Sequence, residues 1–134
     1  MDTADHRKIM IVDDDREFLG QVQEMLELSG YETQVFISGE EALRSVHRMQ
    51  PDLILLDLKM DGKSGFEVTA ELKADDETSH IPIIAMTAFY GENEVGKVIE
   101  DYGALCCLRK PIQPSAVISQ IERVLVGSSA EKNH

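Results

Sequence analysis

Four apolar runs in this chain each end in a group that can do chemistry. Ile9-Met10-Ile11-Val12 ends in Asp13-Asp14-Asp15, Leu53-Ile54-Leu55-Leu56 in Asp57, Ile81 to Met86 in Thr87, and Ala104 to Leu108 in Arg109-Lys110-Pro111. If these runs are parallel strands, the carboxylates of Asp13, Asp14 and Asp57, a hydroxyl and an ammonium meet at one edge of a sheet. Carboxylates that close repel one another, and near neutral pH they coexist only beside a cation or with raised pKa values. Lys110 supplies one positive charge. A hard, oxygen-liganded ion such as Mg²⁺ supplies two more, and binds one or two carboxylates together with waters and a phosphate oxygen. The set therefore suits a phosphoryl group, with Thr87 as a hydrogen-bond donor. A carboxylate can itself be the nucleophile and form an aspartyl-phosphate, because in-line phosphoryl transfer asks mainly for positioning and charge stabilisation.

Each residue alone has a plainer reading. Asp14 and Asp15 suit a helix cap facing the helix dipole. Asp57 suits a turn, Thr87 a structural hydroxyl, and Lys110 a solvated surface. The weight lies in their recurrence at the ends of successive buried runs.

Those runs, with a weaker β-type segment at Thr33 to Ile37, read as five strands. Continuous apolar stretches without polar alternation indicate strands buried on both faces, as in a parallel sheet. Helical patterns lie between them. Phe18, Val22, Met25, Leu26 and Ser29 share one face, with Gly30 as the stop. Ser38-Gly39-Glu40-Glu41 reads as a capping box before Ala42, Leu43, Val46 and Met49. Phe66, Ala70 and Lys73 mark a third helix, and Val95, Val98, Ile99 and Tyr102 a fourth. Pro114 opens the last helix, whose stripe is Val117, Ile118, Ile121, Val124 and Leu125. The expected fold is α/β, a (βα)5 doubly wound five-stranded parallel sheet with its ligand site outside the carboxyl ends of the strands.

With 134 residues the chain is expected to form one domain, residues 1–126, followed by a mobile tail at 127–134. Its net charge of −12 disfavours a nucleic-acid backbone or an anionic membrane surface and favours a divalent cation or a basic partner patch. Adjacent Cys106 and Cys107 make a poor disulfide and a poor zinc site, and free thiols suit the cytoplasm. The polar N-terminus lacks a signal-peptide pattern, and no apolar run approaches membrane-spanning length. His6, His47, His80 and His134 are scattered and read as solvated, away from the acidic cluster. No Gly-rich nucleotide-binding motif occurs.

The segments Ile9–Asp15 (IMIVDDD), Pro51–Gly65 (PDLILLDLKMDGKSG), Ile81–Ala88 (IPIIAMTA) and Gly103–Pro111 (GALCCLRKP) resemble the receiver domains of two-component response regulators. The resemblance covers about residues 7–126 and points to the single-domain, chemotaxis-regulator-like type. It implies a flavodoxin-like strand order of 2-1-3-4-5. It implies that Asp57 accepts a phosphoryl group from the phosphohistidine of a sensor kinase or phosphotransfer protein. It further implies that Asp13, Asp14, Asp57 and the Lys59 carbonyl bind Mg²⁺, and that Thr87 and Lys110 contact the phosphoryl group before a cis Lys110–Pro111 bond. A downstream protein would read the state from the α4-β5-α5 face. Such a protein is a switch rather than an enzyme, although it catalyses its own phosphotransfer and autodephosphorylation.

Three positions depart from the family pattern. Cys107 stands where an aromatic residue is usual, so an aromatic rotamer switch is not available. Its bland reading is a small buried strand residue. Asp61 stands where proline is common; it adds a fourth acidic group near the site, and its plainer reading is a solvated loop residue. Gly91 and Gly96 make the fourth helix soft, so this helix is expected to move on phosphorylation, with Phe89 and Tyr90 sharing the signalling. Lys59 and Phe89 flank the expected water path and are candidates for tuning phosphoryl lifetime. Two alternatives are a receiver excised from a larger regulator or hybrid kinase, and a haloacid-dehalogenase-type Mg²⁺ phosphohydrolase. The latter normally carries a second Asp two positions after the nucleophile, where Lys59 stands here.

Overall fold

A computed structural model of the chain describes residues 7–88 and 91–132. The elements alternate as β1 (Lys8–Val12), α1 (Arg16–Leu28), β2 (Glu32–Phe36), α2 (Gly39–Met49), β3 (Leu53–Asp57), α3 (Gly65–Ala74), β4 (Ile83–Thr87), α4 (Glu92–Glu100), β5 (Cys106–Arg109) and α5 (Pro114–Lys132). All strand pairs are parallel, in the order β2-β1-β3-β4-β5. The doubly wound sheet and its strand order are those expected.

Side chains alternate across the pleat, so each central strand feeds two cores. Met10, Val12, Ile54, Leu56, Ile83 and Ala85 pack under α2, α3 and α4. Ile9, Ile11, Leu53, Leu55, Ile84 and Met86 pack under α1 and α5. Every residue of β3 and β4 is buried, which accounts for their unbroken apolar runs. The edge strands β2 and β5 are only partly covered and read more weakly in the sequence.

Local signals fix the helix ends. Asp15 caps α1 by accepting from the Phe18 N–H, and α1 stops at Gly30, whose φ of 96° suits a residue without a Cβ. Ser38 accepts from the Glu41 N–H, and the Ser38 hydroxyl donates to the Glu41 carboxylate. A complete capping box starts α3 at Ser64 and Glu67.

Some helix faces differ from those expected. In α1 the buried residues are Leu19, Val22 and Leu26, while Ser29 is the C-cap. In α3 they are Gly65, Val68, Thr69 and Leu72, and Ala70 is exposed. Thr69 is tolerated inside because its hydroxyl donates to the Gly65 carbonyl at 2.7 Å. Lys73 reaches past the helix end to donate to the Ser79 and Ile81 carbonyls at 2.9 and 2.8 Å. The last strand begins at Cys106 rather than Ala104. Residues from 127, expected as a tail, continue α5 to Lys132.

Gly91 is the N-cap of α4, outside its hydrogen-bonded interior, so only Gly96 weakens the helix. Phe89 and Tyr90 lie outside the described residues. Among the described side chains of α4, Val98 alone is fully buried. A Cβ on Gly96 would meet nothing within 4 Å. Gly96→Ala is therefore expected to stabilise the protein by about 1 kcal/mol, read as a higher urea midpoint. An unchanged or lower midpoint would show that Gly96 does not soften α4.

Candidate functional site

The register pairs Val12 with Leu56, so residues 13 and 57 leave adjacent strands at the same level. This is the point where strand order reverses direction and a cleft opens. Asp13 is fully buried and Asp57 is 6% exposed, while Asp14 is exposed on the next turn of chain. Carboxylate oxygens of Asp13, Asp14 and Asp57 lie within 4.8 Å of one another. Asp15 caps α1 with its side chain and also lines the cleft.

Lys110 arrives from the end of β5. Its Nζ lies 2.6 Å from Asp13 Oδ2 and 3.8 Å from Asp57 Oδ2. The same Nζ stands 4.9 Å from the centre of the Phe18 ring, a cation–π contact from the first turn of α1. Asp13 Oδ1 accepts from the Asp15 N–H at 3.0 Å, fixing that carboxylate's orientation. The Lys59 N–H donates to Asp57 Oδ1 across a long 3.4 Å. The Lys110–Pro111 bond is cis.

These groups open onto a cleft of about 430 Å³, whose lining includes Asp13, Asp14, Asp57, Lys59 and Lys110. Thr87, the last residue of β4, is buried, and it is Ala88 beside it that lines the cleft. Asp61, read from sequence as a solvated loop residue, is exposed but also lines the cleft, with the buried Met60. Nothing in the sequence marks the contact of Phe18 with Lys110, because it depends on how α1 docks. Asp61 lies where its place four residues after Asp57, as a fourth acidic group near the site, puts it.

The β3–α3 connection holds the cleft floor. A Cβ on Gly65 would fall 2.3 Å from the Asp57 carbonyl oxygen and 2.5 Å from Leu58 Cα. The helix start thus lies against the backbone that presents Asp57. Gly65→Ala is expected to lower stability by about 2 kcal/mol, as overpacking against backbone does. Urea denaturation reads this directly, and wild-type stability in that variant would show the close approach to be unimportant.

Burial raises the Asp57 pKa from its ordinary 3.8 to about 7, with further upward pressure from Asp13; Lys110 and the Lys59 N–H pull it down without cancelling the rise. Lys110 alone therefore leaves the cleft short of positive charge. The donors are all hard oxygens, three of them carboxylates close enough to share one ion, and that set fits Mg²⁺.

Cys107 is half-buried against the core under α2, α3 and α4. Burial, and then Cys106 beside it, push its thiol pKa up, which disfavours a reactive thiolate. His47 and His80 are exposed or half-exposed, much as expected, but His47 is paired with two carboxylates. His6 and His134 lie outside the described residues. Among the described residues, no helix is long and apolar enough to cross a membrane.

Comparison with known proteins agrees with this geometry. The family described as "Response regulator receiver domain" matches residues 9–122. The polar-differentiation response regulator DivK of Brucella anthropi is 38% identical over 119 residues, covering 89% of this chain and 96% of that protein. DivK of Brucella ovis matches to the same extent. The CheY-like receiver domain protein of Methanospirillum hungatei shares the fold at a TM-score of 0.86, with 24% identity and coverage of 94% of this chain and 98% of that one. The receiver domain of a signal transduction histidine kinase from Syntrophus aciditrophicus gives 0.81, with 30% identity and coverage of 90% and 91%.

Proposed function

The chain belongs to the response regulator receiver domain family, and from that premise we propose that it is a phosphorylation-dependent switch with Asp57 as its phosphoryl acceptor. The observation carrying this assignment is the place of Asp57. It ends the central strand β3, faces the cleft beside Asp13, and has the Lys110 ammonium 3.8 Å away.

The donor is the phosphohistidine of a sensor kinase or phosphotransfer protein. An Asp57 carboxylate oxygen attacks phosphorus, a P–O bond forms, and the P–N bond breaks with its electron pair going to the imidazole. Lys110 offsets charge on the transferred group. Asp13, Asp14, Asp57 and the Lys59 carbonyl would hold Mg²⁺, which when bound supplies the remaining positive charge. In the unphosphorylated state Lys110 sits on Asp13, and a phosphoryl group on Asp57 gives it a second, stronger partner.

The shift of Lys110 and Thr87 toward that group is the switching event, and it biases an existing equilibrium. The readout surface is the α4-β5-α5 face, where Ile99 of α4 is 37% exposed. The protein acts once per phosphoryl group and catalyses its own transfer and dephosphorylation. The receiver unit comprises residues 1–126, and free thiols suit work in the cytoplasm.

Incubation with acetyl phosphate and Mg²⁺ tests the reading. One acid-stable, base-labile phosphoryl group per chain is the expected result. Many phosphates released per chain with no adduct would make the protein a phosphohydrolase instead.

A further inference from the structure

A second group of metal-ligating side chains lies at the end of the molecule remote from the cleft. His47 is in the last turn of α2, Asp75 is the C-cap of α3, and Glu77 is two residues further on. His47 Nε2 is 2.7 Å from Asp75 Oδ2 and 3.6 Å from Glu77 Oε2, and all three ligand atoms fall within 4.8 Å. We propose that His47, Asp75 and Glu77 form a surface site for a first-row divalent transition metal, with Zn²⁺ as the ion that fits the donor set.

Zinc bonds of about 2.0–2.2 Å to nitrogen and oxygen in a tetrahedron put ligand atoms roughly 3.3 Å apart. The observed 2.7 and 3.6 Å bracket that value, so small rotamer adjustments of exposed side chains complete three corners and leave the fourth to water. Charge favours the same ion. One imidazole faces two carboxylates, so even its protonated form leaves the group a net negative charge, which a divalent ion balances. The C-terminal ends of α2 and α3 add partial negative charge at the same place. The donor types make the choice of metal. The imidazole nitrogen selects zinc and its neighbours over Mg²⁺, which suits the all-oxygen cleft. One Asp75 oxygen is held by the Glu77 N–H at 2.9 Å, leaving the other directed at His47. A bound ion would tie α2 to the α3–β4 connection.

The test is Zn²⁺ titration of the full chain in excess Mg²⁺, followed by calorimetry and by the His47 ring resonances. The expected result is one zinc per chain, a shifted His47 ring, and at least a tenfold loss of affinity in both His47→Ala and Glu77→Gln. Asp57→Asn is expected to bind zinc as the wild type does. Absence of binding would overturn the site. So would undiminished binding in either His47→Ala or Glu77→Gln, or loss of binding in Asp57→Asn, which would place the zinc in the acidic cleft.

Discussion

Replacing Asp57 with Asn is expected to abolish stable phosphoryl labelling while making the metal-free protein more stable at neutral pH. The first effect follows from chemistry, since an amide offers no carboxylate oxygen to attack phosphorus. The second follows from the electrostatics of the cleft. Burial and the neighbouring Asp13 carboxylate raise the Asp57 pKa from 3.8 to about 7. The folded state thus holds this proton more tightly than the unfolded chain does. The resulting stabilisation is fully present below about pH 4 and is lost as pH rises to about 7. Above that window the wild type carries a carboxylate that its surroundings disfavour, and the Asp57→Asn substitution removes it. The variant should gain about 2 kcal/mol at pH 7.5, discounted from the full linkage value for residual solvation and coupling to Asp13. Near pH 4 the gap should close. Thermal unfolding at both pH values in chelator-treated buffer measures this. Millimolar Mg²⁺ should raise the wild-type midpoint and erase much of the difference, because an ion that binds only the folded state stabilises it. A variant less stable than wild type at pH 7.5 without metal would contradict the electrostatic origin of the effect.

Lys110→Met should have the opposite effect on stability. Methionine keeps an apolar stem against Phe18 and removes the charge. Asp13, fully buried, then loses the ammonium at 2.6 Å. Stranding one member of a buried pair costs about 3 kcal/mol, and here the 17% exposure of Lys110 tempers the loss only slightly. Asp57 should titrate above its wild-type value, because Lys110 is the leading influence holding it down. Labelling by acetyl phosphate should slow by at least about a hundredfold, the scale seen when one stabilising donor is removed from a transition state. Urea denaturation and labelling kinetics read the two effects separately. Slower labelling with unchanged stability would show that Asp13 and Lys110 do not depend on each other for burial. Unchanged labelling would remove Lys110 from the phosphoryl-binding role.

The ends of the strands were legible because the strands themselves are so uniform. Leu53 to Leu56 is buried on both faces, so the Asp that closes it stands out in the sequence. Parallel pairing then determines that Asp13 and Asp57 meet, since both follow apolar runs of like length in register. Helix faces were less legible where a polar residue goes inside. Thr69 is buried because its hydroxyl finds the Gly65 carbonyl, which hydropathy alone does not reveal. The Ser64–Glu67 capping box was present as a spacing but lay beside the more conspicuous Asp57 loop. Ala104 is apolar and buried, yet pairing starts only where Cys106 meets Ile84. The placing of Phe18 over Lys110 and of Ala88 rather than Thr87 in the cleft wall depends on docking between elements far apart in sequence.

The acceptor assignment is tested most directly by phosphorylating the wild-type chain in Mg²⁺, reducing the acyl phosphate with borohydride, and mapping the modified residue by peptide mass spectrometry. The predicted result is a single reduced aspartate at position 57. Modification at Asp13, Asp14 or Asp61 in its place would contradict it.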